Sequence, residues 1–289
     1  MIETKEKLTA ELEEKLSRLE EILRGYASVA VAFSGGVDSA ILLWAAHEAL
    51  GDKAIAVTSS DPSLPERERQ EAVEFCESRG IRQLFVHPDL MQVEEYRNNR
   101  PDRCYFCKHN IFSEIAAVAA ENGIGCVVEG SNLDDLGDYR PGMRAIAELK
   151  VNSPLKEAGL HKEDIRLISK AAGLPTWNKP AMACLASRFA YGEEITEEKL
   201  RMLDQAEQFL IEKGFFRERV RIHGKLARIE VSEEDIPKLA EEELREAVYA
   251  RFRELGFLYV TLDLKGYRRG SMNAVLSETQ KKEAAGTGI

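Results

Sequence analysis

Residues 28–33 (SVAVAF) are small or apolar at every position. The chain then passes through Ser34-Gly35-Gly36-Val37-Asp38-Ser39 into a helix-forming stretch that runs to residue 50. The first run shows no polar/apolar alternation, so it reads as a strand buried on both faces, which belongs in a parallel sheet covered by helices on either side. The pattern recurs, with further strands expected at residues 53–59 (KAIAVTS), 83–87 and 125–129 (GCVVE). Helices are expected from Ser63 to about residue 78 with Pro65 near the first turn, from about 108 to 121, and from about 162 to 172, closed by Gly173 and Pro175. The expected fold is α/β, a doubly wound and mostly parallel sheet, with ligands bound beyond the carboxyl ends of its strands.

Ahead of this pattern, Leu8, Leu12, Leu16, Leu19 and Leu23 recur at helical spacing across residues 3–24, with Gly25 where a C-terminal cap would stand. That face either covers the core or builds an oligomer. Residues 177–194 look irregular. Beyond them the texture changes to a helix (196–213), two strands (219–223 and 227–231), a helix (233–255), a strand (257–264) and a frayed end (281–289). A larger domain over residues 1–190 and a smaller α+β domain over 191–289 are expected, and 289 residues suffice for both.

Composition narrows the class. With 44% hydrophobic and 31% charged residues the chain is ordinary globular protein, which excludes collagen-like and broadly disordered folds. No stretch has the apolar length of a membrane helix. The start, with Glu3, Lys5, Glu6 and Lys7, lacks the basic and apolar pattern of a secretory signal, so a cytoplasmic protein is expected. Forty basic against 50 acidic residues leave a net charge of -10, which argues against a nucleic-acid partner. Five cysteines in a reducing compartment point to a metal or a reaction rather than to disulfides.

The turn Ser34–Ser39 is the most specific motif. Glycines let backbone N–H groups converge, the following helix adds its positive end, and Ser34 and Ser39 add hydroxyl donors, so an anionic phosphate is favoured there. Asp38 fits such a cradle when a divalent ion bridges it to the phosphates. The loop has no lysine and is therefore not of the Walker type. The bland alternative is a strand–helix turn with Asp38 or Ser39 as a cap. A chance match to the five fixed residues arises in roughly a few in ten thousand such chains, which favours the phosphate reading.

Cys104 and Cys107 form C-x-x-C just before an expected helix, and Cys184 lies in the irregular stretch. Three thiolates can hold a four-iron cluster with one iron open. Zinc would need a fourth ligand, for which His109 is nearest, and free thiols are the third possibility. Cys76 and Cys126 read as core residues. On the strand 219–223, Arg219 and Arg221 share a face, as do Arg228 and Glu230 on the next. Paired guanidinium groups suit a phosphate or carboxylate, and a solvated face of ion pairs is the alternative.

SGGVDS resembles the signature of the PP-loop ATP pyrophosphatases, which cleave ATP between its α and β phosphates and adenylate an oxygen acceptor. In that superfamily the loop (Ser34, Gly35, Gly36, Asp38, Ser39) holds pyrophosphate and Mg²⁺, and adenine lies near the end of the second strand, here Val57 and Ser59. Within it the chain resembles the LarE family, sulfur transferases of nickel-pincer nucleotide synthesis for lactate racemase. The resemblance rests on SGGVDS, EGSNLDDLGDYRPG (129–142), WNKPAMACLASRF (177–189), RVRIHGKLARIE (219–230) and GFLYVTLDLKGYRRGSMN (256–273). It implies pyridinium-3,5-biscarboxylic acid mononucleotide as substrate, adenylated by ATP with Mg²⁺ and then attacked by sulfur. Cys184 matches the sulfur-bearing cysteine, which some members sacrifice. Having Cys104 and Cys107 as well, the chain resembles the three-cysteine type, in which the trio binds a 4Fe-4S cluster that carries hydrosulfide from sulfide or another donor. Arg219 and Arg221 match the arginines for the substrate phosphate, while Ser187, Arg188, Glu230 and Asp263 match substrate- or metal-contacting positions. The rivals are an iron–sulfur tRNA thiolase, a non-catalytic nucleotide or iron–sulfur sensor, and an ammonia-using ligase. A homo-oligomer is expected.

Overall fold

The computed structural model describes residues 8–135, 141–180, 183–268 and 270–285. They form two compact units, one of residues 1–61, 66–88 and 105–182, the other of 62–65, 89–104 and 183–289. The second unit thus draws residues 62–65, 89–104 and 183–190 from the span expected for the first.

The first unit opens with α1 (Ala10–Gly25), capped by the Thr9 hydroxyl, so Leu8 precedes the helix and residues 1–7 lie outside the described residues. Gly25 is helical. The left-handed residue that ends the helix is Ala27, at φ +63°. Strands β1 (Val29–Ala32), β2 (Ala54–Ser59) and, after α2 (Val37–Leu50) and α3 (Glu66–Glu77), β3 (Gln83–Val86) form a parallel sheet. In the second unit α4 (Glu94–Arg97) follows. Helix α5 (Arg103–Glu121) leads to the short β4 (Val127–Val128), and the sheet order is β3-β2-β1-β4, all parallel. The α/β expectation therefore holds.

Alternation along the strands divides the core between the two faces. Val29, Val31, Ala54 and Ala56 pack with α1, α2 and α3, whereas Ala30, Ile55 and Val57 pack with α5. Leu12, Leu19 and Leu23 are consumed by the first face, so this stripe of α1 belongs to its own core and is not an oligomer face. Helices α6 (Gly142–Glu148), α7 (Pro154–Glu157) and α8 (Lys162–Ala171) complete the unit. β1 leads to β2 on one side and borders β4 on the other, so the chain reverses its winding beside β1. The crevice beyond the ends of β1 and β4 is where an open α/β sheet binds ligands.

The second unit continues with α9 (Glu197–Glu212) and a sheet in which β5 (Arg219–His223) is antiparallel to β6 (Leu226–Glu230), and β6 is parallel to β7 (Tyr259–Leu262). The helix expected over 233–255 is broken into α10 (Ile236–Leu239) and α11 (Glu242–Glu254). Pro237 starts the first piece, lacking an N–H to bond backwards, and extended Glu241 precedes the second. α12 (Glu278–Ala285) carries helix through most of the end expected to fray, and residues 286–289 lie outside the described residues. Among the described residues no helix is long and apolar enough to cross a membrane.

Candidate functional site

Two clusters of polar groups hold the sequence-derived candidates, one in each unit. In the first, the turn after β1 carries Gly35 at φ +73°, a conformation that glycine adopts without the Cβ penalty. Ser39 Oγ donates to Gly36 O at 3.1 Å, lies 3.2 Å from Ser34 Oγ and accepts from Ser34 N at 3.3 Å, so the two hydroxyls brace the turn. Asp38 stands in the first turn of α2, which starts at Val37, two residues earlier than the expected helix start at Ser39. Lys162 Nζ donates to its Oδ2 at 2.5 Å and Asn132 Nδ2 to its Oδ1 at 3.4 Å. Burial pushes the Asp38 carboxyl above the usual range, and Lys162 opposes that shift.

The neighbours of this loop come from distant segments. Gly130, just past β4, lies so close to Asp38 and Ser39 that a Cβ would stand 3.0 Å from Ser39 N. Buried Glu129 shapes that turn by accepting from Ser131 N (3.1 Å), Ser131 Oγ (2.8 Å) and Ser153 Oγ (2.5 Å). Asp134 accepts from Lys162 N at 2.7 Å and shares a hydrogen bond with His161 Nδ1 at 2.7 Å, which fixes the start of α8 where Lys162 stands. Lys179 Nζ donates to Gly35 O at 3.1 Å and pairs with Glu71 at 2.6 Å and with fully buried Glu68. Lys162, Lys179, Asn132 and Gly130 were not singled out by sequence, although all but Lys162 lie in segments that carry the family resemblance. Of the adenine candidates, Ser59 ends β2 half-buried with Oγ donating to Asp61 at 2.9 Å. The Val57 side chain is buried in the α5 face of the core, so only its backbone is available to a nucleotide.

In the second unit the guanidinium of Arg188 is 1% exposed and grips Glu207 with two bonds of 2.9 and 2.7 Å. Its Nη1 donates to Ala183 O (2.6 Å), Cys184 O (3.1 Å) and Ser187 Oγ (2.9 Å), so it shapes the turn that carries Cys184. Glu207 also accepts from Val220 N at 2.8 Å, and its carboxyl stays below the usual range because Arg188 outweighs the opposing effect of burial. Arg221 pairs with fully buried Glu230 at 2.9 Å and donates to Ser187 O at 3.0 Å. Arg228 bridges Glu230 (3.3 Å) and Asp263 (2.5 Å). Arg219 lies over the Tyr267 ring at 5.2 Å, and burial with the nearby Arg188 charge lowers its pKa. Arg221 and Glu230 are therefore buried partners rather than a solvated face. Arg188, Arg219, Arg221, Ser187 and Glu230 come together here.

Cys104 and Cys107 are half-buried and Cys184 is exposed, and none of the three is in a disulfide. The C-x-x-C lies inside α5 rather than before it, because the helix begins at Arg103, after Pro101 and the capping residue type Asp102. Three residues apart, the two thiols share a helix face, while His109 follows Cys107 by two positions and points to the opposite side. That removes the Cys104–Cys107–His109 zinc set. Among the described residues no three His, Cys, Asp or Glu side chains are gathered to hold a metal ion. Thiolates of a four-iron cluster each bind a different iron and stand wider apart than the ligands of one ion.

No family model matches the chain. A pyridinium-3,5-bisthiocarboxylic acid mononucleotide synthase of Lactiplantibacillus plantarum is 36% identical over 272 residues, covering 94% of this chain and 98% of that protein. An uncharacterised protein of Synechocystis is 41% identical over 267 residues, 92% of this chain and all of the relative. A glutamine-hydrolysing GMP synthase of Thermotoga maritima is 24% identical over 227 residues, 70% of this chain and 44% of that enzyme.

Proposed function

The chain belongs to the LarE family, and from that membership we propose that it is an ATP-dependent sulfur transferase acting on pyridinium-3,5-biscarboxylic acid mononucleotide. The observation that carries this reading is similarity to the Lactiplantibacillus plantarum synthase along nearly the whole of both chains. A carboxylate is a poor electrophile, so an oxygen of the substrate first attacks the α phosphate of ATP and pyrophosphate leaves. Hydrosulfide then adds to the adenylated carbonyl, AMP departs, and a thiocarboxylate remains. Repetition at the second carboxylate gives the bisthiocarboxylate.

Each of these demands has candidate residues in the chain. The turn of Ser34, Gly35, Gly36 and Ser39 offers N–H and hydroxyl donors to the departing pyrophosphate, at the positive end of α2. Asp38, half-buried at that end, would hold Mg²⁺, which neutralises phosphate charge when bound. Lys162 now occupies the same carboxylate and would pass to the phosphates as the ion arrives. Arg219, backed by Arg221, would hold the phosphate of the substrate, and Ser187 and Arg188 would keep Cys184 beside the reacting carbonyl. ATP activation would fall to the first unit and substrate holding to the second, which includes Ser187 and Arg188.

We assign Cys104, Cys107 and Cys184 to a 4Fe-4S cluster. The donor set suits it chemically, with three cysteines outside any disulfide, two of them on one helical face and the third exposed. When bound, such a cluster offers an open iron that keeps hydrosulfide deprotonated and nucleophilic at neutral pH. The protein is read as a cytoplasmic homo-oligomer whose partners are the nucleotide substrate and a sulfide source.

Two variants test the reading. Asp38→Ala is expected to abolish pyrophosphate release and leave iron content unchanged. Cys104→Ala is expected to lose iron and sulfur transfer and to keep pyrophosphate release. Undiminished pyrophosphate release in the first removes Asp38 from the mechanism, and a full complement of iron in the second removes Cys104 as a ligand.

A further inference from the structure

Lys179 meets the phosphate loop at a backbone carbonyl. Its ammonium donates to Gly35 O at 3.1 Å and to Glu71 at 2.6 Å, and it pairs with buried Glu68. An ammonium has three donors, and Lys179 faces three protein acceptors, so it is engaged by the protein rather than open to a ligand. Each partner is fixed. Glu68 and Glu71 stand three residues apart on one face of α3. That helix packs on the loop, since a Cβ on Gly35 would stand 3.4 Å from both Ala72 Cβ and Glu68 O. The backbone of Lys179 is pinned as well, its N–H donating to Thr176 O at 3.0 Å and its carbonyl accepting from Arg166 Nη2 at 2.8 Å. Arg166 lies on α8, the helix that presents Lys162 to Asp38.

The carbonyl that Lys179 binds belongs to the Gly35–Gly36 peptide. A trans peptide points its N–H opposite to its C=O, so fixing Gly35 O also fixes the direction of the Gly36 N–H. Gly35 stands at φ +73°, and Gly36, the residue that precedes α2, at φ -77° and ψ 164°. Neither has a Cβ, so a half-turn of this peptide plane meets little local resistance, and a group outside the pair must set it. Among the described residues no group accepts from the Gly36 N–H. It stands beside the first N–H groups of α2, which have no partners within the helix.

We infer that Lys179 is a positioning residue of the pyrophosphate cradle, holding the Gly35–Gly36 peptide so that the Gly36 N–H is offered to the anion. By drawing electron density toward the carbonyl oxygen, the ammonium also makes that N–H a stronger donor. Lys179 acts through the peptide and does not touch the nucleotide, and Glu68 and Glu71 keep its charge at the carbonyl. The inference rests on the reading of the loop as a pyrophosphate site.

Gly35–Gly36 is the single Gly–Gly pair in the sequence. Glycine labelled with carbonyl ¹³C and amide ¹⁵N therefore gives one carbonyl–amide correlation in the magnetic resonance spectrum of the full chain, and it comes from this peptide. The forms compared are wild type, Lys179→Met, and Lys179→Met combined with Glu68→Gln, which removes the acid with the base and serves where the single variant does not fold. Leu19→Ala, a cavity in the α1 side of the same core, controls for lost stability alone. The readouts are that correlation and the affinity for inorganic pyrophosphate with Mg²⁺, with thermal melts as the fold control. In wild type, pyrophosphate is expected to move the Gly36 amide resonance. Without Lys179 the Gly35 carbonyl resonance is expected to shift upfield and pyrophosphate to bind about tenfold more weakly. Leu19→Ala is expected to melt lower and bind as wild type. A folded variant lacking Lys179 that keeps the wild-type carbonyl resonance or the wild-type affinity would overturn the inference. So would an equal loss of affinity in Leu19→Ala. A wild-type chain that binds no pyrophosphate would instead overturn the reading of the loop, and the inference with it.

Discussion

Gly130→Ala puts the architecture of the phosphate loop to a direct test. A Cβ at this position would stand 3.0 Å from Ser39 N, 3.1 Å from Asp38 C and 3.2 Å from Asp38 Cβ, against 3.4–4 Å in ordinary contact. Two of these atoms are backbone in the first turn of α2, so a rotamer change cannot relieve them. The turn after β4 or the start of α2 must move by a few tenths of an ångström. Overpacking of this kind costs about 1–3 kcal/mol. At roughly 2 °C per kcal/mol for a chain of this size, the melting temperature should fall by about 2–6 °C. The atoms displaced belong to the proposed pyrophosphate cradle, so affinity for a non-hydrolysable ATP analogue with Mg²⁺ should drop about tenfold, equivalent to about 1.4 kcal/mol. Gly125→Ala is the control, because a Cβ there meets nothing within 4 Å. Calorimetric melts and titration calorimetry on both variants decide the matter. If Gly130→Ala melts and binds as Gly125→Ala does, the close packing of β4 against the loop is not what shapes the site.

Lys179→Met should leave buried Glu68 with Arg67 as its remaining cation among the described residues, free the Gly35 carbonyl and cost about 1–3 kcal/mol in denaturant unfolding. Pairing it with Glu68→Gln should recover part of the loss, and strictly additive effects would argue against the clamp. Glu207→Gln leaves Arg188 buried without its acid and should cost about 3–5 kcal/mol at neutral pH. The folded carboxyl of Glu207 titrates below its ordinary value, so its stabilisation is present above the unfolded carboxylate range and is lost as pH falls through the lower folded value. Melting curves of wild type and variant should therefore converge in acid, and a gap constant from neutral pH into acid would contradict the ion pair.

The phosphate loop was legible because its signals are local: a continuous apolar strand, two glycines, and a helix within a dozen residues. The groups that complete it were not, since Lys162 meets Asp38 across 124 positions and Lys179 meets Gly35 across 144. Periodicity says nothing about which lysine the topology brings to a sheet edge. Helix α5 starts at Arg103, ahead of the expected 108, because C-x-x-C reads as a loop motif in sequence, although Pro101 and Asp102 mark the helix start. Arg219 and Arg221 were found by the face they share. That Arg221 is locked to buried Glu230, and that Arg188 reaches the backbone of Cys184, depends on packing between strands and helix.

The most direct measurement of the central claim is the mass of the nucleotide and of the protein after anaerobic turnover. The reconstituted enzyme would receive pyridinium-3,5-biscarboxylic acid mononucleotide, ATP, Mg²⁺ and excess sulfide. The account predicts both carboxylates converted to thiocarboxylates, many products per chain, AMP and pyrophosphate in step with sulfur gained, and an intact Cys184. A nucleotide that gains no sulfur would contradict the proposed function, and one sulfur per chain with Cys184 reduced to dehydroalanine would contradict the catalytic cluster.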